Sequence, residues 1–213
     1  LKLYRAQAVN SDTTNTFSFF LEKAVQISDY VSLIVPKFLL NTPEFRKTRE
    51  ILERKHIDSI IDFGENGFKG VLVETVCVNI NTLESAAKTT IHSMTEQVTI
   101  IQKQSYITDP AFPYWLIYRN DFFDKIAKRL TFDVFTVFRD RQITNKLLSA
   151  QGDIRVVKSR NINDSGTQIV NIEGYDSYIS ADNARQLSVY AYYETDNVYL
   201  TPNMTYKPRL IKK

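Results

Sequence analysis

The chain has 213 residues, 43% of them hydrophobic and 12% aromatic, which is enough apolar side chain for a buried core and too much for a disordered segment. No apolar run approaches the roughly 18 residues needed to cross a bilayer, which argues against a membrane partner. The net charge of +3 is small but uneven: residues 1–100 carry −1 and residues 101–213 carry +4, so a polyanionic partner would meet the second half.

The single Cys77 stands among apolar neighbours, as a core thiol in a reducing compartment does, which points to a cytoplasmic protein. His56 and His92 lie far apart without cysteine companions and suggest no zinc site.

In chain order, residues 1–15 read as a polar loop with a short helical entry. Asn15 or Thr16 suits a helix cap, and Phe17, Phe20, Leu21, Ala24 and Ile27 recur at the spacing of one buried helical face. Val31 to Val35 is nearly all apolar, the pattern of a central strand covered on both sides. Thr42, Pro43 and Glu44 open a second helix, with Phe45, Ile51 and Leu52 facing inward. Ile57 to Phe63 is a second buried strand.

Gly64, Gly67 and Gly70 fall within seven residues and predict a loop with unusual backbone angles, carrying Phe68. Val71 to Ile80 supplies the next strand or strands, and Gln97 to Ile107 one more. This helix–strand–helix–strand–loop–strand order is half of a doubly wound α/β domain. Two prolines in Thr108 to Tyr114 suggest a linker at 108–114 between a first part, 1–107, and a second, 115–213.

Beyond that point the βαβ rhythm is lost and the segment reads as α+β. Residues 119–130 form an amphipathic helix with Phe122, Phe123, Ile126 and Leu130 on one side. A short helix at Asp140 to Leu148, strands at Ile154 to Val157 and Thr167 to Ile172, a weak helix at 182–190 and an edge strand at Val198 to Leu200 follow.

Phe68 sits in a glycine-flanked loop just past a parallel strand, where α/β proteins place their ligands. It is suited to stacking on a planar ligand such as a nucleobase; the alternative is a ring folded back to cap the core. At this point the residues carry a resemblance. Phe20-Leu-Glu-Lys-Ala-Val, Leu33-Ile-Val-Pro, Phe45-Arg-Lys-Thr-Arg-Glu-Ile-Leu, Ile60-Ile-Asp-Phe-Gly and Gly67-Phe-Lys-Gly-Val resemble the later motifs of the DNA adenine-N6 methyltransferases of restriction–modification systems. Trp115-Leu-Ile-Tyr and Phe138-Arg-Asp-Arg-Gln are similar to the linker toward the family's target-recognition domain, and Ile154-Arg-Val-Val-Lys-Ser-Arg-Asn to the opening of that domain.

The resemblance implies a Rossmann-like methyltransferase domain, S-adenosylmethionine as cofactor, double-stranded DNA as partner, and a restriction endonuclease as fused domain or separate subunit. It places Phe68 on the extruded adenine and Phe20 against the cofactor's adenine ring. Two family motifs are missing: no Gly-X-Gly occurs, and no two prolines are adjacent, so there is no Asn-Pro-Pro-Tyr. Both precede the matched region in the family, so the resemblance implies an amino-terminally truncated, inactive piece: the carboxyl-terminal half of the methylase (1–107) and the start of the recognition domain (115–213). For the recognition half, Arg139, Arg141, Gln142, Lys158, Ser159, Arg160 and Asn161 are the expected DNA contacts, since arginine reads guanine, asparagine or glutamine reads adenine, and lysine meets phosphate. The alternative reading is a non-catalytic DNA-specificity module.

Overall fold

The protein is described by a computed structural model over residues 2–132, 134–202 and 208–213. It divides into two compact units, Leu1–Leu130 and Thr131–Lys213. In the first unit, helices α1 (Lys2–Gln7) and α2 (Thr16–Ile27) lead to strand β1 (Tyr30–Pro36), and α3 (Arg46–Glu53) carries the chain on to β2 (His56–Gly64). Strands β3 (Thr75–Asn81), β4 (Lys88–Ser93) and β5 (Val98–Lys103) complete a five-stranded sheet in the order β1-β3-β2-β4-β5. β3 runs antiparallel to both β1 and β2, so these two are parallel to each other with β3 between them. β4 adds parallel to β2, and β5 antiparallel to β4. The result is a mixed sheet in an α/β fold.

Leu21 and Val25 of α2, with Phe45 and Leu52, pack in one core with Val31, Val35, Ile57, Ile60, Val76, Val78 and Ile80. The apolar run at Val31 to Val35 is not the centre of this sheet. β1 lies at its margin and alternates, with Val31 and Val35 buried and Ile34 exposed. β3 is the strand buried along nearly its whole length.

The buried stripe of α2 also differs from the apolar pattern. Phe19, Leu21 and Val25 are buried, Phe17 and Ala24 half-buried against the core, and Phe20 and Ile27 exposed. Polar residues occupy the rest of the inner face: Ser18 hydrogen-bonds Thr48 at 2.6 Å, and the Glu22 carboxylate accepts from the amides of Val9 and Asn10 at 2.8 and 3.0 Å. Satisfied buried polar groups of this kind are invisible to a hydrophobicity pattern. Asn15 precedes α2 without capping it, and its amide instead reaches Glu44 at 2.7 Å. The polar stretch Lys88-Thr-Thr-Ile-His-Ser forms β4, a strand absent from the sequence reading, and β5 stops at Lys103, where Gln104–Ile107 turns into helix α4.

The break between units falls at 130/131 and not at 108–114. Ile107, Trp115 and Ile117 belong to the core of the first unit. Buried Gln104 accepts from the Ile57 amide at 2.8 Å and donates to the carbonyls of Glu53 and Lys55. Arg49, also buried, donates to the carbonyls of Leu39, Thr42 and Pro113, and the Trp115 indole N–H donates to Glu53 at 2.5 Å. The amphipathic segment after them forms α5 (Asp121–Ala127), whose cap Asn120 accepts from the Phe123 amide at 2.9 Å.

The second unit is sparse in regular structure. Strands β6 (Ile154–Val156) and β7 (Ser177–Ile179) pair antiparallel, as do β8 (Tyr199–Leu200) and β9 (Ile211–Lys212), with short helices α6 (Ala181–Arg185) and α7 (Tyr190–Glu194) between the two pairs. Asp140 to Leu148 holds only the 3-10 turn Asn145–Leu147, and Thr167 to Ile172 contributes an isolated bridge, Ile162 to Ile169, instead of a strand.

The placement of Trp115 is checked by urea unfolding. Trp115→Ala should destabilise the first unit by about 3–5 kcal/mol through the cavity it leaves, whereas Phe122→Ala, at an exposed position, should change stability by about 0.5 kcal/mol or less.

Candidate functional site

Because β1 and β2 are parallel, Pro36 and Gly64 end on the same side of the sheet, and the loop Glu65–Glu74 leaves from that edge. The loop is exposed throughout except at Gly67. Phe68 is 51% exposed and has no place in the core, so the reading of it as a ring folded inward falls away. Backbone geometry favours all three glycines here. Gly64, the last residue of β2, has φ 55° and Gly70 has φ 79°, both in the left-handed region that favours glycine. Gly67 leaves no room for a side chain: a Cβ there would lie 2.0 Å from the Thr75 hydroxyl. Phe68 is therefore flanked by backbone positions that suit glycine and resist a larger residue.

Beneath the loop lies a buried charge that sequence reasoning missed. Asp62, 1% exposed near the end of β2, accepts from Lys37 Nζ at 2.9 Å and from the Tyr118 hydroxyl at 2.6 Å on one carboxylate oxygen. Its other oxygen accepts from the Gly64 amide at 3.0 Å. Lys37 also stands 3.6 Å from the Glu74 carboxylate, and its backbone amide donates to the Glu74 carbonyl at 2.9 Å. Burial pushes the Asp62 carboxyl up, but hydrogen bonds from Tyr118, Lys37 and Gly64, with the charge of Lys37, outweigh it and hold the group below the usual carboxylate range. Burial and the bond to Asp62 in turn push the Tyr118 phenol up to about 12. The only sequence signal for this cluster was an acidic residue interrupting an apolar strand at Asp62.

Phe20 projects from α2 and is 69% exposed, so its ring is free to pack against a ligand.

In the second unit, the expected DNA contacts divide into exposed and committed residues. Arg139 and Arg141 are exposed, and so is Gln142, whose side-chain carbonyl accepts from the Ser188 amide at 2.8 Å. Arg160 is exposed with its guanidinium 4.8 Å from the centre of the Tyr175 ring. Lys158 folds inward: its ammonium donates to the Tyr175 carbonyl and the Ser177 hydroxyl and lies 3.8 Å from the Tyr175 ring centre. Ser159 is half-buried in a turn, its carbonyl accepting from Arg209. Asn161 is fully buried, its amide donating to Val170 and Asp176 and its carbonyl accepting from the Lys158 amide. Lys158 and Asn161 thus hold the turn together, and the exposed cations Arg139, Arg141 and Arg160 are the ones presented to solvent.

Acid titration checks the buried carboxylate. A carboxyl held low in the folded state stabilises it above the unfolded value, near pH 4, and that stabilisation is lost as pH falls through the folded value. The stability gap between wild type and Asp62→Asn should therefore stay constant from about pH 5 to pH 7 and shrink below about pH 4, read from urea midpoints across pH.

Against known proteins, residues 2–68 match the family model of the Eco57I restriction-modification methylase. No curated protein matches the chain. The matched stretch takes in α1, α2, β1, α3 and β2 and ends at Phe68, the ring presented by the glycine-bounded loop. It supports a relationship of this part of the first unit to restriction–modification methylases.

Proposed function

We propose that the chain is part of a site-specific DNA methyltransferase of a restriction–modification system, acting on the N6 of adenine. In this reading the first unit is the carboxyl-terminal portion of a Rossmann-like methylase domain and the second is the opening of its target-recognition domain. The observation that carries it is Phe68, an exposed ring held by a glycine-bounded loop at the carboxyl edge of a parallel strand pair, at the end of the methylase match.

An adenine amino group is inaccessible inside the duplex, so the base must leave the stack before it reacts. An exposed phenylalanine replaces part of the stacking that extrusion costs, and holds the ring plane while leaving the amino edge free. Phe20 is the residue of this chain suited to pack on the adenine ring of S-adenosylmethionine, which supplies the methyl group when bound. The residues that would accept from the target amino group are not among these 213: there is no Asn-Pro-Pro sequence and no Gly-X-Gly cofactor loop. The same absence is what favours a second reading, a non-catalytic DNA-specificity module. Methyl transfer to adenine by a parent protein that carries Asn-Pro-Pro-Tyr or Asn-Pro-Pro-Phe separates the two. For DNA, Arg139, Arg141 and Arg160 are the phosphate- or guanine-facing candidates, and a restriction endonuclease is the partner such a system would add.

Three measurements test this. In the parent, Phe68→Ala should slow methyl transfer about ten- to a hundredfold, the equivalent of about 1–3 kcal/mol of lost stacking, with Phe68→Trp near wild type. Its stability should move by about 0.5 kcal/mol or less, because the ring is exposed. Residues 1–213 by themselves should show no micromolar binding of S-adenosylmethionine in calorimetry. For DNA, duplex affinity should fall with salt by about 0.9 log unit per log unit of salt for each phosphate contacted, and the triple change of Arg139, Arg141 and Arg160 to alanine should flatten that slope.

A further inference from the structure

The loop that carries Phe68 has almost nothing to hold it along its length. From Glu65 to Glu74 every residue except Gly67 is exposed, and its internal backbone bonds are few, Val71 to the Phe68 carbonyl at 3.3 Å among them. Segments of this kind open locally at low cost unless their ends are fixed. Here both ends are tied to one place. The Asp62 carboxylate takes the Gly64 amide at the loop's start, and Lys37, salt-bridged to the same carboxylate, holds Glu74 at its finish through backbone amide and ammonium. Tyr118 completes the carboxylate's shell.

We infer that Lys37 and Asp62 are positioning residues for the Phe68 loop: the ion pair, its carboxylate buried and its ammonium partly exposed, closes the loop at its base and so sets the place of the ring that meets an extruded base. The meeting with a base rests on the methyltransferase reading, whereas the closing of the loop does not. A paired charge at this position has a use beyond packing. Breaking an ion pair from one side is costly where the charge left behind is buried, as the Asp62 carboxylate is. The pair makes one loop geometry strongly preferred over its alternatives.

Trypsin reads the loop directly, since Lys69 lies within it and is exposed. Cleavage under native conditions follows the population of the open loop when opening is fast. Lys37→Met and Asp62→Asn should each raise cleavage after Lys69 about tenfold, the equivalent of about 1.4 kcal/mol in the opening equilibrium. Lys37→Arg should restore most of the protection, because it returns the cation, and Phe68→Ala should leave cleavage unchanged. Tyr118→Phe, which removes one hydroxyl and folds more safely, should give a smaller increase in the same direction. In the parent enzyme the Lys37 and Asp62 variants should lower kcat with KM for S-adenosylmethionine unchanged, and Lys37→Arg should recover it. Unchanged cleavage after Lys69 in both Lys37→Met and Asp62→Asn overturns the inference. So does an increase shared equally by sites outside the loop, which would mean general loosening. If Phe68→Ala methylates at the wild-type rate, the stacking reading falls on its own while the cleavage result still decides the loop.

Discussion

Strand β3 occupies the gap between β1 and β2, and its opposite direction governs the geometry of the first unit. Cys77 faces Ile34 on one side and Ile61 on the other, so a single strand sets the register of two parallel neighbours that never pair with each other. Their carboxyl ends are thereby brought level. Lys37, one residue past β1, can then reach Asp62 near the end of β2 across the width of the inserted strand. The same insertion makes the connection from β2 to β3 a hairpin through residues 65–74, which is where Phe68 comes to lie.

A second layer of order comes from buried polar groups. Arg49 sits 2% exposed with three carbonyl acceptors, and burial pushes its guanidinium down from its ordinary range. Backbone dipoles replace the lost water, and in doing so they fasten the turn after β1 to Pro113. Gln104 performs the same service for the segment between α3 and β2. Farther along, Arg119 bridges Asp109 at 2.7 Å and Asp124 at 2.6 Å and lies 4.2 Å from the centre of the Tyr106 ring, joining α5 to the chain before it. These contacts turn a proline-marked stretch into part of a packed body.

How much of this was legible follows from which signals the sequence carries. Helix α2, the strands β1, β2 and β3, and the glycine-marked loop were readable because they depend on periodic apolar residues and on backbone-permissive glycine. The inward face of α2 was not, since Phe17, Phe19 and Phe20 stand together and the choice among them is made by Ser18 and Glu22 bonding to groups distant in sequence. Pro110 and Pro113 gave a local sign of a linker, while the partners that bind Gln104, Trp115 and Tyr118 come from residues 53 to 62. Site residues divided in the same way. The exposure of Phe68 was foreshadowed by its glycine neighbours, but nothing local separates Arg160, which meets solvent, from Asn161, which is fully buried. Among the described residues the second unit has few regular elements, so its sequence offered little period to read.

The close fit of Gly67 over the Thr75 hydroxyl bears on how such a loop can diverge. Leu72 and its neighbours at the tip face solvent and touch little, so substitution there is nearly free in folding terms. Gly67 has less latitude, since even alanine must turn the Thr75 hydroxyl aside or shift the loop. Drift in this region is thus channelled: side chains beyond the ring can change in size and polarity while the frame that presents the ring stays put. A lineage could change what surrounds the ring through those outer positions without first having to rebuild the turn.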